Sequence, residues 1–195
     1  MHRVLLAAVA IVAFTLSAHA ADTAEFRTGV FKPSRPAPDF SLRGSNGADF
    51  KLSAYRGKVV ALGFGYTSCP NVCPTTLLLL AQARQKLGVE AKDFQVVYVT
   101  VDPERDNADR MRQFVSAFDP SFIGLTGTPQ VIGNIEKDYG IFAKRLPSKG
   151  DPGVYFIDHS ALVYLIDRSG NLRAMMPFGV PVDDIVHDVK ALLAG

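Results

Sequence analysis

The sequence predicts an α/β sandwich: a central mixed β-sheet flanked by helices, with an added N-terminal β-hairpin. Three observations carry this. Two nearly continuous apolar runs, Lys58 to Tyr66 and Phe94 to Val101, have the pattern of strands covered on both faces. Segments with helix start and stop signals follow each of them, and such alternation calls for a sheet that is parallel in part. With 48% apolar and 21% charged residues over 195 positions, the chain is no disordered polymer, and it is long enough to build a core without disulfide staples.

Residues 1–20 read as a secretory signal peptide, with Arg3 ahead of an uncharged run from Val4 to Leu16 and Ala18-His19-Ala20 matching a small-residue cleavage site. That run spans only about 20 Å as a helix against roughly 30 Å of hydrocarbon, which favours a cleaved leader over an anchor. No later segment approaches eighteen uninterrupted apolar residues, so the expectation is an exported, periplasmic chain with no transmembrane segment once mature. An uncleaved leader would tether it to the membrane instead. Residues 21–38, with Pro33, Pro36 and Pro38, read as an extended N-terminal tether, and 39–195 as one domain.

Within that domain, Asp39 to Leu42 and Asp49 to Leu52 alternate polar and apolar around Gly44-Ser45-Asn46-Gly47, which predicts a β-hairpin. After the Lys58 to Tyr66 strand, Pro74 opens a helix that Gly88 stops. Phe94 to Val101 follows, then a helix from Asn107 as N-cap to about Phe118. A short strand at Phe122 to Leu125 precedes a helix capped by Thr128, with Pro129 first in it and Gly140 after it. Ala161 to Asp167 and Leu172 to Met176 form a second hairpin around Arg168-Ser169-Gly170-Asn171, and Val182 to Leu193 closes the chain as a helix. A thioredoxin-like sandwich with extra strands is the simplest fold of this order.

The near balance of 21 basic and 19 acidic residues, without a basic block, argues against a nucleic-acid partner. Chemistry therefore centres on Cys69-Pro70-Asn71-Val72-Cys73-Pro74, at the carboxyl end of a central strand where open α/β sheets place their sites. In a helical turn, positions i and i+4 share a face, so both sulfurs can converge. The helix start favours thiolates, and soft sulfur selects Cu(I) over hard cations. A structural disulfide and a redox dithiol are the competing readings. The spacing is neither C-x-x-C nor half of a four-cysteine zinc site.

Copper(II) prefers imidazole, which directs attention to the histidines. His2 and His19 fall in the leader, and His187 reads as a solvated residue of the last helix. His159, in Asp158-His159-Ser160 before the Ala161 strand, is the candidate third ligand, with Asp158 as acceptor for its ring. A histidine satisfying loop backbone groups is the alternative. Met175 and Met176 are adjacent and read as packing residues.

Together these residues resemble the Sco/SenC family, thioredoxin-like copper proteins that assist assembly of cytochrome c oxidase. The resemblance rests on Arg35-Pro36-Ala37-Pro38-Asp39-Phe40, on Gly65-Tyr66-Thr67-Ser68-Cys69-Pro70-Asn71-Val72-Cys73-Pro74, on Val101-Asp102-Pro103-Glu104-Arg105-Asp106, and on Asp158-His159-Ser160 before Tyr164-Leu165-Ile166-Asp167. It implies that Cys69 and Cys73 bind Cu(I), that His159 joins them for Cu(II), and that the copper is delivered to the binuclear copper site of cytochrome c oxidase subunit II. Another periplasmic copper chaperone or a thiol reductant is a further implied partner. Asn71 stands where family members often carry an acid, and many members retain an N-terminal membrane helix. The turn at Asp102, Glu104, Arg105 and Asp106 matches the family's acidic turn, which either lines the rim and meets the partner or simply opens the following helix.

The metallochaperone reading has an enzymatic rival. A periplasmic thiol-disulfide oxidoreductase would use Cys69 and Cys73 as a redox-active pair, reducing the cysteines of the oxidase site or of other exported proteins. His159 favours the chaperone, because a pure oxidoreductase does not need it. A peroxidase of the same fold would place Thr where Tyr66 stands, so it fits poorly.

Overall fold

The computed structural model describes residues 25–148, 150–151 and 153–195; the stretch read as a signal peptide, 1–20, lies outside these residues. Ten strands and four α-helices are found among them. Eight strands form one sheet in the order β1 (Gly29–Pro36), β10 (Asn171–Pro177), β9 (Leu162–Ile166), β4 (Val59–Gly65), β5 (Phe94–Thr100), β6 (Ile123–Thr126), β2 (Ser41–Gly44) and β3 (Asp49–Lys51), and β7 (Ala143–Pro147) pairs only with β8 (Tyr155–His159) in a separate hairpin.

The centre of the sheet is β4 (Val59–Gly65), all seven residues of which are buried, beside β5 (Phe94–Thr100) and β6 (Ile123–Thr126). These three run parallel. Burial on both faces explains the unbroken apolar runs that marked β4 and β5 in the sequence. On one side, β9 (Leu162–Ile166) joins β4 antiparallel and β10 (Asn171–Pro177) joins β9. On the other, β2 (Ser41–Gly44) and β3 (Asp49–Lys51) form the expected N-terminal hairpin against β6.

Helix α1 (Val72–Leu87) buries Cys73, Leu77, Leu80, Ala83 and Leu87, one stripe at helical spacing, and packs against α4 (Val182–Ala194). Helix α2 (Ala108–Ser116) has Asn107 as its cap, whose side chain accepts from the Arg110 N–H. Helix α3 (Pro129–Tyr139) is capped by Thr128 and ends at left-handed Gly140, as its start and stop residues require.

Two segments differ from the sequence expectation. Within residues 21–38, the stretch read as a tether, Gly29–Pro36 forms the edge strand β1, antiparallel to β10 with a register shift between Val30 and Arg35. Its prolines are tolerated because an edge strand leaves one row of N–H groups unpaired. The start of this segment is also pinned: buried Asp188 on α4 accepts from the Arg27 N–H at 2.9 Å and from the Thr28 N–H and hydroxyl at 3.1 and 2.7 Å. His187, read as a solvated helix residue, is half-buried with Nδ1 2.9 Å from the same carboxylate. The second difference is the hairpin of β7 (Ala143–Pro147) and β8 (Tyr155–His159), where no strand was expected. Among the described residues, no helix is long and apolar enough to cross a membrane.

Candidate metal centre

Cys69 lies in the loop leaving the carboxyl end of β4, and Cys73 in the first turn of α1. Both are free thiols, Cys73 buried and Cys69 partly exposed. The cap residue Asn71 makes no side-chain bond to the helix backbone; its Oδ1 accepts from the Thr75 hydroxyl at 3.3 Å instead. The Cys73 N–H, one of the unpaired donors at the helix start, is taken by the Cys69 sulfur at 3.4 Å. Cys69 therefore fills the role of a capping side chain.

This arrangement separates the two thiols. A hydrogen bond from the Cys73 thiol, with others from the backbone N–H groups of Cys73 and Asn71, outweighs burial and holds the Cys69 pKa down to about 3. Cys73 moves the opposite way, its proton retained by the bond to Cys69 and by burial. At neutral pH the pair holds one thiolate and one thiol.

His159 is the last residue of β8, opposite Ala143 of β7, rather than a member of the following loop. Its Nδ1 is 3.0 Å from the Ser160 carbonyl oxygen, which can only accept, so the Nδ1–H donates there. That leaves the Nε2 lone pair facing the Cys73 sulfur at 3.4 Å. The ring stands edge-on to Tyr66, with centroids 5.7 Å apart. Asp158, expected to orient the ring, is exposed: alternation along β8 turns it to the opposite face from His159, and the Ser160 carbonyl does the orienting.

The three donor atoms of Cys69, Cys73 and His159 lie within 4.8 Å of one another. Sulfur and nitrogen donors bind soft and borderline ions at roughly 2.0–2.3 Å, so one ion can reach all three with small adjustments. Two sulfurs and one imidazole suit copper in both of its common oxidation states.

The residues around the cluster explain its placement. Buried Asp106 accepts from the Thr67 N–H at 3.0 Å, from the Thr67 hydroxyl at 2.6 Å and from Thr100 at 2.7 Å, fixing the loop two residues before Cys69. Arg110 donates to the hydroxyl oxygens of Thr67 and Ser68. Asp102 is buried as well while Glu104 is exposed, so the two aspartates of the turn read as an acidic rim face inward and the glutamate faces outward. Beneath the sulfurs, the Tyr98 ring crosses β4 over Gly63 and Gly65; a Cβ at Gly65 would stand 2.7 Å from the Cys73 sulfur. The Tyr98 hydroxyl approaches the same Gly65 position, closer still to where that Cβ would stand. Gly65 stands out in the sequence only as the start of the cysteine motif, and Gly63 and Tyr98 are not singled out there, although a Gly-x-Gly inside a buried strand is the mark of close approach by a neighbour. Met176 packs in the core, as expected of the methionine pair.

A central mixed sheet flanked by helices, with a Cys, Cys, His donor set at the end of a central strand, defines a thioredoxin-like protein with a candidate metal site. A family model described as SCO1/SenC matches residues 31–194, and the chain belongs to that family. An SCO2-like protein of Rickettsia conorii is 36% identical over 132 residues, which cover 68% of this chain and 64% of that protein. The chain thus matches just under two thirds of that relative's length. Among solved structures, Bradyrhizobium japonicum ScoI with copper bound superposes with a TM-score of 0.75 at 34% identity, over 81% of this chain and 99% of that one. The apo Sco1 protein from Thermus thermophilus superposes with a TM-score of 0.78 at 36% identity, over 88% and 99%.

Proposed function

We propose that this protein is an exported copper metallochaperone of the periplasm, in which Cys69 and Cys73 hold Cu(I) and His159 completes the site for Cu(II). The cargo is delivered to the binuclear copper site of cytochrome c oxidase subunit II. The observation that carries this reading is the convergence of two sulfurs and one imidazole nitrogen within 4.8 Å. Membership of the Sco family and a relative solved with copper bound support it. A partly exposed Cys69 gives the ion a way out, because an incoming ligand from the acceptor can reach the metal there before Cys73 lets go.

The split between the two thiols also supports a second activity. The Cys69 thiolate can attack a disulfide of an acceptor protein, releasing one thiolate and forming a mixed disulfide. Cys73, once deprotonated, then displaces the second acceptor sulfur. The acceptor gains two electrons and the pair becomes a disulfide.

The test of the first reading is metal analysis of anaerobically purified protein. One copper per chain is expected, with tight Cu(I) retention abolished in Cys69→Ser and in Cys73→Ser. Retention at the wild-type level in either variant would remove the thiolate site.

A further inference from the structure

The three donors reach the site on two separate pieces of chain. The cysteines sit on the β4–α1 connection, one helical turn apart, so their mutual placement is local. His159 arrives on the β7–β8 hairpin, and no ladder hydrogen bonds join that hairpin to the eight-stranded sheet. Something other than sheet register must hold the imidazole against the sulfurs.

The turn at 102–106 does this from both sides. Its Asp106 grips Thr67 of the cysteine loop. Its other members grip the hairpin through Tyr155, which lies four residues before His159 and on the same face of β8. The Tyr155 hydroxyl donates to buried Asp102 at 2.8 Å, and Arg105, itself hydrogen-bonded through Nε to Asp102, donates to the Tyr155 carbonyl at 3.0 Å. The Arg105 guanidinium carbon is 3.7 Å from the centroid of the Tyr155 ring, and that of Arg145 is 4.1 Å from it. Arg145 is paired in turn with Glu104 of the turn at 2.8 Å. Cations against an aromatic face attract electrostatically, and a ring engaged by two of them is held in position as well as in contact. One further bond, from the Ile157 N–H to the Tyr66 hydroxyl at 3.3 Å, lies between this clasp and His159.

We propose that Tyr155, clasped by Arg105, Arg145 and Asp102, is a positioning residue that sets His159 against the cysteine pair and thereby tunes the site toward Cu(II). The inference rests on the copper reading above. Its physical basis is that Cu(I) is satisfied by the two sulfurs, whereas Cu(II) draws on the imidazole. Loosening the hairpin lowers the effective concentration of the imidazole at the metal and leaves the sulfurs where they are.

The test compares Cu(I) and Cu(II) affinities of the full chain by competition with chelators, together with the visible absorption of the Cu(II)–thiolate complex. Tyr155→Ala should weaken Cu(II) at least about tenfold, keep Cu(I) within about threefold, and change the Cu(II)–thiolate spectrum. Tyr155→Phe keeps the ring between its cations and should return both affinities to within about threefold of the wild type. Equal losses for the two oxidation states in Tyr155→Ala, or a Cu(II) affinity at the wild-type level, would overturn the proposal. His159→Ala separates the two levels of inference. If it leaves Cu(II) binding unchanged, the copper reading itself fails; if it weakens Cu(II) while Tyr155→Ala does not, only the clasp fails. Should Tyr155→Ala lose its cooperative unfolding transition, the exposed Arg145→Gln variant decides: about threefold weaker Cu(II) with unchanged Cu(I) supports the clasp, and unchanged Cu(II) overturns it.

Discussion

At Cys69 one sulfur collects the Cys73 thiol and two backbone N–H groups of a helix start, and that convergence makes it a thiolate. An unfolded thiol keeps its proton up to about pH 8.5, so between that value and about 3 the native chain has released a proton that the unfolded chain retains. The contribution of Cys69 to stability is therefore present above the unfolded thiol pKa and is lost as pH falls toward 3. Cys73 has the opposite sign: its pKa is raised, so its contribution is present below the unfolded value and lost as pH rises beyond it. Alkylation reports the first effect directly. Carboxamidomethylation of Cys69 in the metal-free protein should proceed at a nearly constant rate between about pH 5 and pH 8, because the thiolate fraction is saturated. A rate that drops about tenfold for each pH unit across that range would show an ordinary thiol.

Strand β4 carries the site by what it leaves out. Gly63 and Gly65 face the Tyr98 ring, and the missing side chain at Gly65 is the space that the Cys73 sulfur and the Tyr98 hydroxyl use. Gly65→Ala drives a methyl group into both. It should destabilise the fold by roughly 1–3 kcal/mol, read from the urea midpoint, and reduce Cu(I) retention with it. An unchanged midpoint would mean that the sulfur is not packed against this strand. At the scale of elements the sequence was informative where burial leaves a pattern. The runs of β4 and β5, the Thr128 and Asn107 caps and the Gly140 stop all form as read, because propensity, capping and burial agree there. The β7–β8 hairpin was illegible for a physical reason. Its outer face presents Leu146 and Phe156 to solvent while its inner face carries Arg145 and Tyr155, so the usual rule of apolar inside and polar outside is blurred on this hairpin. The signal that could have found it is Tyr155-Phe156-Ile157, a β-prone triplet after the turn-forming Gly150-Asp151-Pro152-Gly153.

Taken whole, the molecule is an eight-stranded sheet with its sulfurs at one end and an imidazole brought to them on a separate hairpin. The cysteine pair was legible from its spacing and its position after a central strand. The imidazole was legible from the resemblance of Asp158-His159-Ser160 to the Sco motif, but its support was not: the Ser160 carbonyl contact follows the end of an unforeseen strand, and the Tyr155 clasp depends on which face of that strand Tyr155 occupies. Prolines in the N-terminal segment pointed to extended backbone, and Gly29–Pro36 is extended; its pairing with β10 is a long-range contact that local composition does not encode. The central claim is that one copper ion is shared by Cys69, Cys73 and His159. Copper X-ray absorption on the loaded protein tests it most directly: Cu(I) should show two sulfur neighbours, and Cu(II) two sulfurs with a single imidazole that disappears in His159→Ala. A Cu(II) spectrum with no imidazole scattering in the wild type, or with the same imidazole persisting in His159→Ala, would contradict it.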